Sequence, residues 1–324
     1  MIRRFCQFAL ALALVGSVAA VSAQSPNRVP VVGFLMLSAG PNEGPAQGLR
    51  RGLHELGYVE GQNVKIEYRY AHGKQEQLLP LARELADLKV DVIVTGAEPI
   101  VRVAQRASRS IPVVVALFDN DPVASGLVSS FSHPGGNVTG ISTLQSDLVA
   151  KRLELLKEAL PKVSRIAVFW DSYSKRQLDA LQPAGDALGI ELHAIELHAP
   201  YDFAAAFRAA RKKQAGAVMV LFSPVFYEER ARLAALALEA GLPTITQEES
   251  WVTSGGMISY GPTVADAFAR TAYYVDRLLK GAKAGELPIE QPAELKLTVN
   301  LKTAKALGIT IPESILLRAD EVIR

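Results

Sequence analysis

Four carboxylates, Glu98, Asp119, Asp171 and Glu248, and three rings, Tyr173, Phe226 and Tyr260, stand just beyond the ends of apolar, β-branched runs. In open α/β sheets, ligands sit beyond the carboxyl ends of the strands, where loops and helix N-termini converge. The same rule selects Ser38 after the first run, Gly96 and Ala97 after residues 90–95, Ser223 after 217–222 and Gln247 after 242–246. A helix N-terminus carries about half a positive charge and suits a carboxylate. A desolvated carboxylate suits an ammonium group, and rings suit an apolar body. As a set, these residues read as a site for a small solute with an amine, a carboxylate and an apolar part. Taken singly, each is equally well a helix cap or a core ring.

Residues that would break bonds are not arranged for it. The chain has no G-x-G-x-x-G after the first run, no G-x-x-x-x-G-K-[ST] and no G-x-S-x-G. The glycine-rich stretches 40–44 and 134–140 read as turns, because Pro41 removes an N–H that a phosphate cradle needs. His54, His72, His133, His193 and His198 show no metal-ligand spacing, and His193 and His198 fall at opposite parity on one strand. The expectation is therefore binding without catalysis, metal or cofactor.

Apolar runs at 29–37, 63–70, 90–95 and 111–117 alternate with helical periods at 45–56, 75–88 and 99–108. Strands apolar on both faces, separated by amphipathic helices, indicate a parallel sheet covered on both sides. The pattern restarts with strands at 165–170, 191–196, 217–222 and 242–246 and helices at 177–188, 202–213 and 227–240. Leu56-Gly57 corresponds to Leu188-Gly189, residues 90–95 to 216–221, and Pro112 to Pro243, at nearly constant spacing. One fold used twice accounts for this. The remainder, strands at 255–260 and 295–300 around a helix at 264–280, is too small to bury its own core and must complete the two lobes. The expected fold is α/β: two doubly wound parallel-sheet lobes joined by a three-stranded hinge. Residues 29–142 with 262–290 form the first lobe, and 145–260 with 293–324 the second.

Residues 1–23 carry Arg3 and Arg4, then an apolar run of small residues, then Val21-Ser22-Ala23, the pattern of a cleaved export signal. The only cysteine, Cys6, leaves with it, so stability must come from a core rather than from disulfides. The 35 Lys and Arg, less Arg3 and Arg4, equal the 33 Asp and Glu, which leaves no nucleic-acid footprint and no polybasic membrane patch. A soluble, monomeric product in the periplasm is expected.

The stretches GLRRGLHELGYVEGQNVKIEYRYAHG (48–73), VDVIVTG (90–96), DPVASGLVSSFSHPGGNVTGIST (121–143), KRLELLKEALPKVSRIAVFW (151–170), GGMISYGP (255–262) and LPIEQPAELKLTVNLKTAKALGITIPESILLRADEVI (287–323) carry a resemblance. In order, and through nearly all of residues 24–324, they resemble the tryptophan/tyrosine-type substrate-binding proteins of bacterial ABC transporters, with the type I periplasmic binding fold. The resemblance implies two lobes that close on a small solute and hand it to a permease and ATPase complex in the inner membrane. It does not fix the solute, because SAGPNEG, DSYSKRQ and SPVFYEE, the segments expected at the cleft, are individual to this chain. An amino acid or an aromatic metabolite is the leading expectation. A sensor presenting its solute to a membrane receptor uses the same cleft, and an α/β enzyme is the remaining alternative. N-terminal analysis of the exported product is expected to find Gln24 first; retention of Cys6 in a membrane fraction would contradict the export reading.

Overall fold

The computed structural model of the protein describes residues 28–37, 44–118, 121–143, 145–292 and 294–324. The expected export signal, Ser38 and Asp119 lie outside the described residues. Val31–Met36 (β1), Gly44–Glu55 (α1), Lys65–Tyr70 (β2), Leu78–Asp87 (α2), Val92–Thr95 (β3), Glu98–Ala107 (α3), Val113–Phe118 (β4) and Val138–Ser142 (β5) build the first lobe. Its five strands lie parallel in the order β2-β1-β3-β4-β5. Side-chain alternation explains why β1 is apolar throughout: Val32 and Phe34 face α1, while Leu35 packs with residues of α2 and α3.

The second lobe contains Gln145–Ala159 (α4), Arg165–Trp170 (β6), Lys175–Leu188 (α5), Glu191–Glu196 (β7), Phe203–Lys212 (α6), Ala217–Val220 (β8), Pro224–Glu228 (α7), Arg230–Glu239 (α8), Thr244–Thr246 (β9), Glu249–Thr253 (α9) and Ile258–Gly261 (β10). The chain then returns to the first lobe for Val264–Leu279 (α10). It comes back for Lys296–Asn300 (β11), Leu301–Ala306 (α11), Glu313–Leu316 (α12) and Glu321–Ile323 (β12). The seven strands run in the order β12-β11-β10-β9-β8-β6-β7, with β10 and β11 antiparallel. That single reversal follows from the excursion through α10.

The sequence reading contained neither α4 nor β12, and three of its elements differ from the structure. Residues 134–140 are not all turn, since Val138–Ser142 is a strand with Gly140 at φ +143°. A Cβ on Gly140 would lie 2.0 Å from the Val115 carbonyl oxygen, where the pairing of β4 with β5 shifts register. The helix expected over 75–88 starts as a 3-10 turn, Gln75–Gln77. The helix expected over 227–240 begins earlier and breaks at Glu229, because Ser223 caps α7 and Pro224 opens it.

α10 is held by backbone proximity. Gly48 and Gly52 lie one turn apart on the buried face of α1, and a Cβ on either would come 2.1 Å from the carbonyl oxygen of Ala265 or Ala269. Glycine weakens a helix by roughly 1 kcal/mol relative to alanine, and here the close approach of α10 is the return. The contact is reinforced at its edges by Arg51 with Asp266 and by the Tyr58 hydroxyl on Asp276 (3.0 Å). Gly52→Ala is expected to reduce stability by about 1–3 kcal/mol, seen as a lower urea midpoint at constant m-value. An unchanged midpoint would mean that the two helices do not meet this closely.

Candidate functional site

The carboxyl ends of β1, β3 and β4 face α7 of the second lobe across a narrow cavity of about 30 Å³. From the first lobe come Met36 and Leu37 at the end of β1, Gly96 and Ala97 after β3, and Leu117 of β4. From the second come Phe222, Pro224 and Tyr227, and α10 lays Val264 and Phe268 along the floor. The lining is almost entirely apolar. A Cβ on Gly96 would be in ordinary contact with Met36 Cε (3.4 Å) and Phe268 Cζ (3.7 Å).

The second-lobe wall is fixed by buried polar groups. Gln177 of α5 grips Phe222 on both sides: its Nε2 donates to the Phe222 carbonyl (3.2 Å), and its Oε1 accepts from the Phe222 N–H (3.0 Å). Ser223 accepts from the Val225 N–H (3.2 Å) as the cap of α7 and donates to Asp171 Oδ2 (2.5 Å). Asp171 also accepts from the Tyr173 N–H (3.0 Å), the Ser174 hydroxyl (3.3 Å) and the Tyr201 hydroxyl (3.3 Å). Burial pushes its carboxyl above the ordinary aspartate range, and these four donors pull it back only in part.

None of the described carboxylates and rings that the strand-end rule selected, Glu98, Asp171, Glu248, Tyr173, Phe226 and Tyr260, lines the cavity itself. Gly96 and Ala97 line the cavity as expected, whereas Phe226 does not. Its ring is 1 % exposed and packs inside the second lobe against Phe203 (5.9 Å) and Tyr201 (6.1 Å). Tyr260 is half-buried against the core of that lobe, and its carbonyl accepts from Arg152 Nε (2.7 Å). Glu248 is a helix cap, accepting from the Ser250 N–H (2.8 Å) and the Ser250 hydroxyl, with its carboxyl raised by burial. Gln247, beside it, is buried with Oε1 unpartnered.

Glu98 differs from these. It opens α3 one residue beyond the lining Ala97; Oε1 accepts from Arg102 Nη2 (2.9 Å), while Oε2 is buried without a hydrogen-bond partner. Such an orphan acceptor costs about 1–3 kcal/mol unless something donates to it. Tyr173 leaves its own lobe and packs among Leu37, Ala71 and Leu78 of the first. Phe222, Tyr227 and Phe268, the rings that do line the cleft, escaped the strand-end rule for different reasons. The Ser-Pro pair at 223–224 is a readable helix start that would have pointed to Tyr227, whereas α10 reaches the floor only through its packing on α1.

Among the described residues there is no group of three or more His, Cys, Asp or Glu able to hold a metal, and no helix is long and apolar enough to cross a membrane. A family model described as ABC transporter substrate binding protein matches residues 37–323. A tyrosine-binding protein of Clostridioides difficile is 27% identical over 269 residues, 81% of this chain and 76% of its own length. Two solved structures are similar across both lobes. A conserved domain protein from Vibrio cholerae has a TM-score of 0.84 at 29% identity, covering 91% of this chain and 100% of its own. An ABC domain in complex with L-Trp from Streptococcus pneumonia has 0.81 at 26%, with the same coverage. Since the matched span takes in the second lobe, all the crossings and the first lobe from the end of β1 onward, the chain belongs to the ABC transporter substrate-binding protein family.

Proposed function

We propose that the protein is the periplasmic solute-binding component of an ABC importer and that its cargo is an amino acid with an apolar, aromatic side chain or a closely related aromatic metabolite. The observation that carries this reading is the interlobe cavity with its almost entirely apolar lining; Glu98, next in sequence to the lining Ala97, has a buried carboxylate oxygen without a hydrogen-bond partner. The cavity's ring-lined floor takes a flat apolar body, and Glu98 Oε2 takes an ammonium N–H. The relatives that bind tyrosine and L-Trp support the same class. Export delivers the protein to the compartment where it meets its cargo, and membership of the family implies a permease and ATPase as partners.

Transport by such a protein is a population shift between open and closed lobes, in which the solute favours the closed form by touching both walls. No bond is made or broken, so the residues need only complementarity. Mass spectrometry of small molecules carried through native purification identifies the cargo. With L-tryptophan and L-tyrosine as first ligands, calorimetry is expected to show binding that Glu98→Gln weakens about ten- to a hundred-fold, the worth of a charge-assisted hydrogen bond. Wild-type affinity in that variant would remove Glu98 from the site. Saturating ligand is also expected to compact the protein in small-angle scattering and to raise its melting temperature by mass action; an unchanged scattering curve at proven saturation would contradict lobe closure.

A further inference from the structure

Charge that nearly balances over the whole chain is not balanced on the outer face of α3. Arg102 and Arg106 stand one turn apart on it, and Arg109 follows just beyond its end. With Gln105, Gly136 and Asn137 these three line a broad depression of about 920 Å³, and no carboxylate among the described residues joins them. Gln105 Nε2 donates to Asn137 Oδ1 (3.2 Å), so the two amides are occupied with each other. Arg106 and Arg109 are exposed and make no hydrogen bond or ion pair among the described residues. Like charges four residues apart destabilise a helix, and one cation already complements its C-terminus. The packing of the lobe does not account for three crowded arginines; an anion does.

Arg102 ties this depression to the cleft. Its Nη2 donates to Glu98 Oε1 (2.9 Å) and to the Ser125 carbonyl (2.7 Å), and its Nε also donates to Glu98 Oε1 (3.3 Å). Nη1 is left without a partner among the described residues. We propose that Arg102, Arg106 and Arg109 form a site for a multivalent oxyanion of the phosphate class, and that its occupation raises cargo affinity through the pair of Arg102 with Glu98. Guanidinium forks match phosphate oxygens two at a time, and three forks without a competing carboxylate favour a ligand of double or higher charge. An anion on Arg102 offsets the positive charge beside Glu98, so the unpartnered Oε2 attracts an ammonium group more strongly. By linkage, cargo then tightens anion binding by the same factor. The coupling rests on Glu98 receiving the cargo's ammonium group; the anion site itself does not.

The test titrates the protein purified after export with pyrophosphate at low ionic strength, where exposed charges are least screened. Without cargo, calorimetry is expected to show binding that Arg106→Gln and Arg109→Gln each weaken about fivefold, the upper worth of one exposed ion pair. Arg208→Gln, at an exposed position of α6 in the second lobe, is expected to leave that binding unchanged. No binding by the wild type, or an equal loss in Arg208→Gln, would overturn the site. Both arginines are exposed, so the melting temperatures of their variants without anion are expected to stay at the wild-type value. Vesicles separate the two sources of phosphate. Sedimentation with phosphatidylglycerol, absent with phosphatidylcholine and lost in Arg106→Gln, assigns the ligand to a lipid headgroup; protein left in solution assigns it to a soluble anion. With L-tryptophan or L-tyrosine, saturating pyrophosphate is expected to raise affinity about fivefold over sodium chloride of equal ionic strength, in the wild type and in Arg102→Lys but not in Arg102→Gln. An equal rise in Arg102→Gln would overturn the coupling. Failure of both amino acids to bind the wild type would count against the cargo class, while the pyrophosphate titrations still decide the anion site.

Discussion

The close approach of α1 and α10 at Gly48 and Gly52 is the contact on which the two-lobe arrangement depends. β10 before α10 and β11 after it both belong to the second sheet, so α10 is inserted into the first lobe between two neighbouring strands of the other. Only a helix held firmly in the first lobe makes that detour productive. Its placement obliges the chain to cross between lobes twice more, beyond the crossing after β5. It also carries Val264 and Phe268 to the floor of the cleft, so a packing requirement far from the solute shapes the site itself.

The crossings are laced together on either side of the bend. In the first lobe, the segment after β5 pairs with the last crossing, Ser142 N–H donating to the Glu290 carbonyl (2.8 Å) and Glu290 N–H to that of Gly140 (3.1 Å). In the second, Arg152 of α4 joins the crossing after β5 to the one after β10: Nε donates to the Tyr260 carbonyl (2.7 Å) and Nη2 to Gln145 Oε1. No carboxylate among the described residues pairs with this guanidinium, and complete burial lowers its pKa to about 9. An uncompensated buried cation is costly, and its fixed fork of donors is what holds the crossings at a set spacing. Gly261 sits against it because a Cβ would meet the Gln247 carbonyl at 2.3 Å.

Within the second lobe, the polar residues near the cleft mainly serve the backbone. Gln177 fixes Phe222, Ser223 caps α7, Glu248 caps α9, and Asp171 joins the loops after β6 and β8. Each of these groups is buried and hydrogen-bonded, which is the condition under which burial of polar atoms is tolerated. Rigidity of the wall is the outcome, and it leaves the cavity surface to apolar side chains. A preorganised apolar wall binds a flat solute without first ordering itself.

The alternation of doubly apolar strands and amphipathic helices determined the fold class, because burial on both faces is a local demand written into each run. Internal correspondence, such as Pro112 with Pro243, disclosed two lobes for the same reason. The strand-end rule selected Gly96 and Ala97, and both line the cavity, because their position depends only on where β3 stops. It failed to separate cap from ligand at Glu248, or core ring from cleft ring at Phe226, since a polar or aromatic residue after a strand has the same local signature in either role. β5, with Gly140 between Thr139 and Ile141, was hidden because its pairing is decided by β4. Which side chains face the solute, and that Tyr173 spans to the other lobe, were decided by contacts between residues far apart in the chain, and no local pattern encodes those.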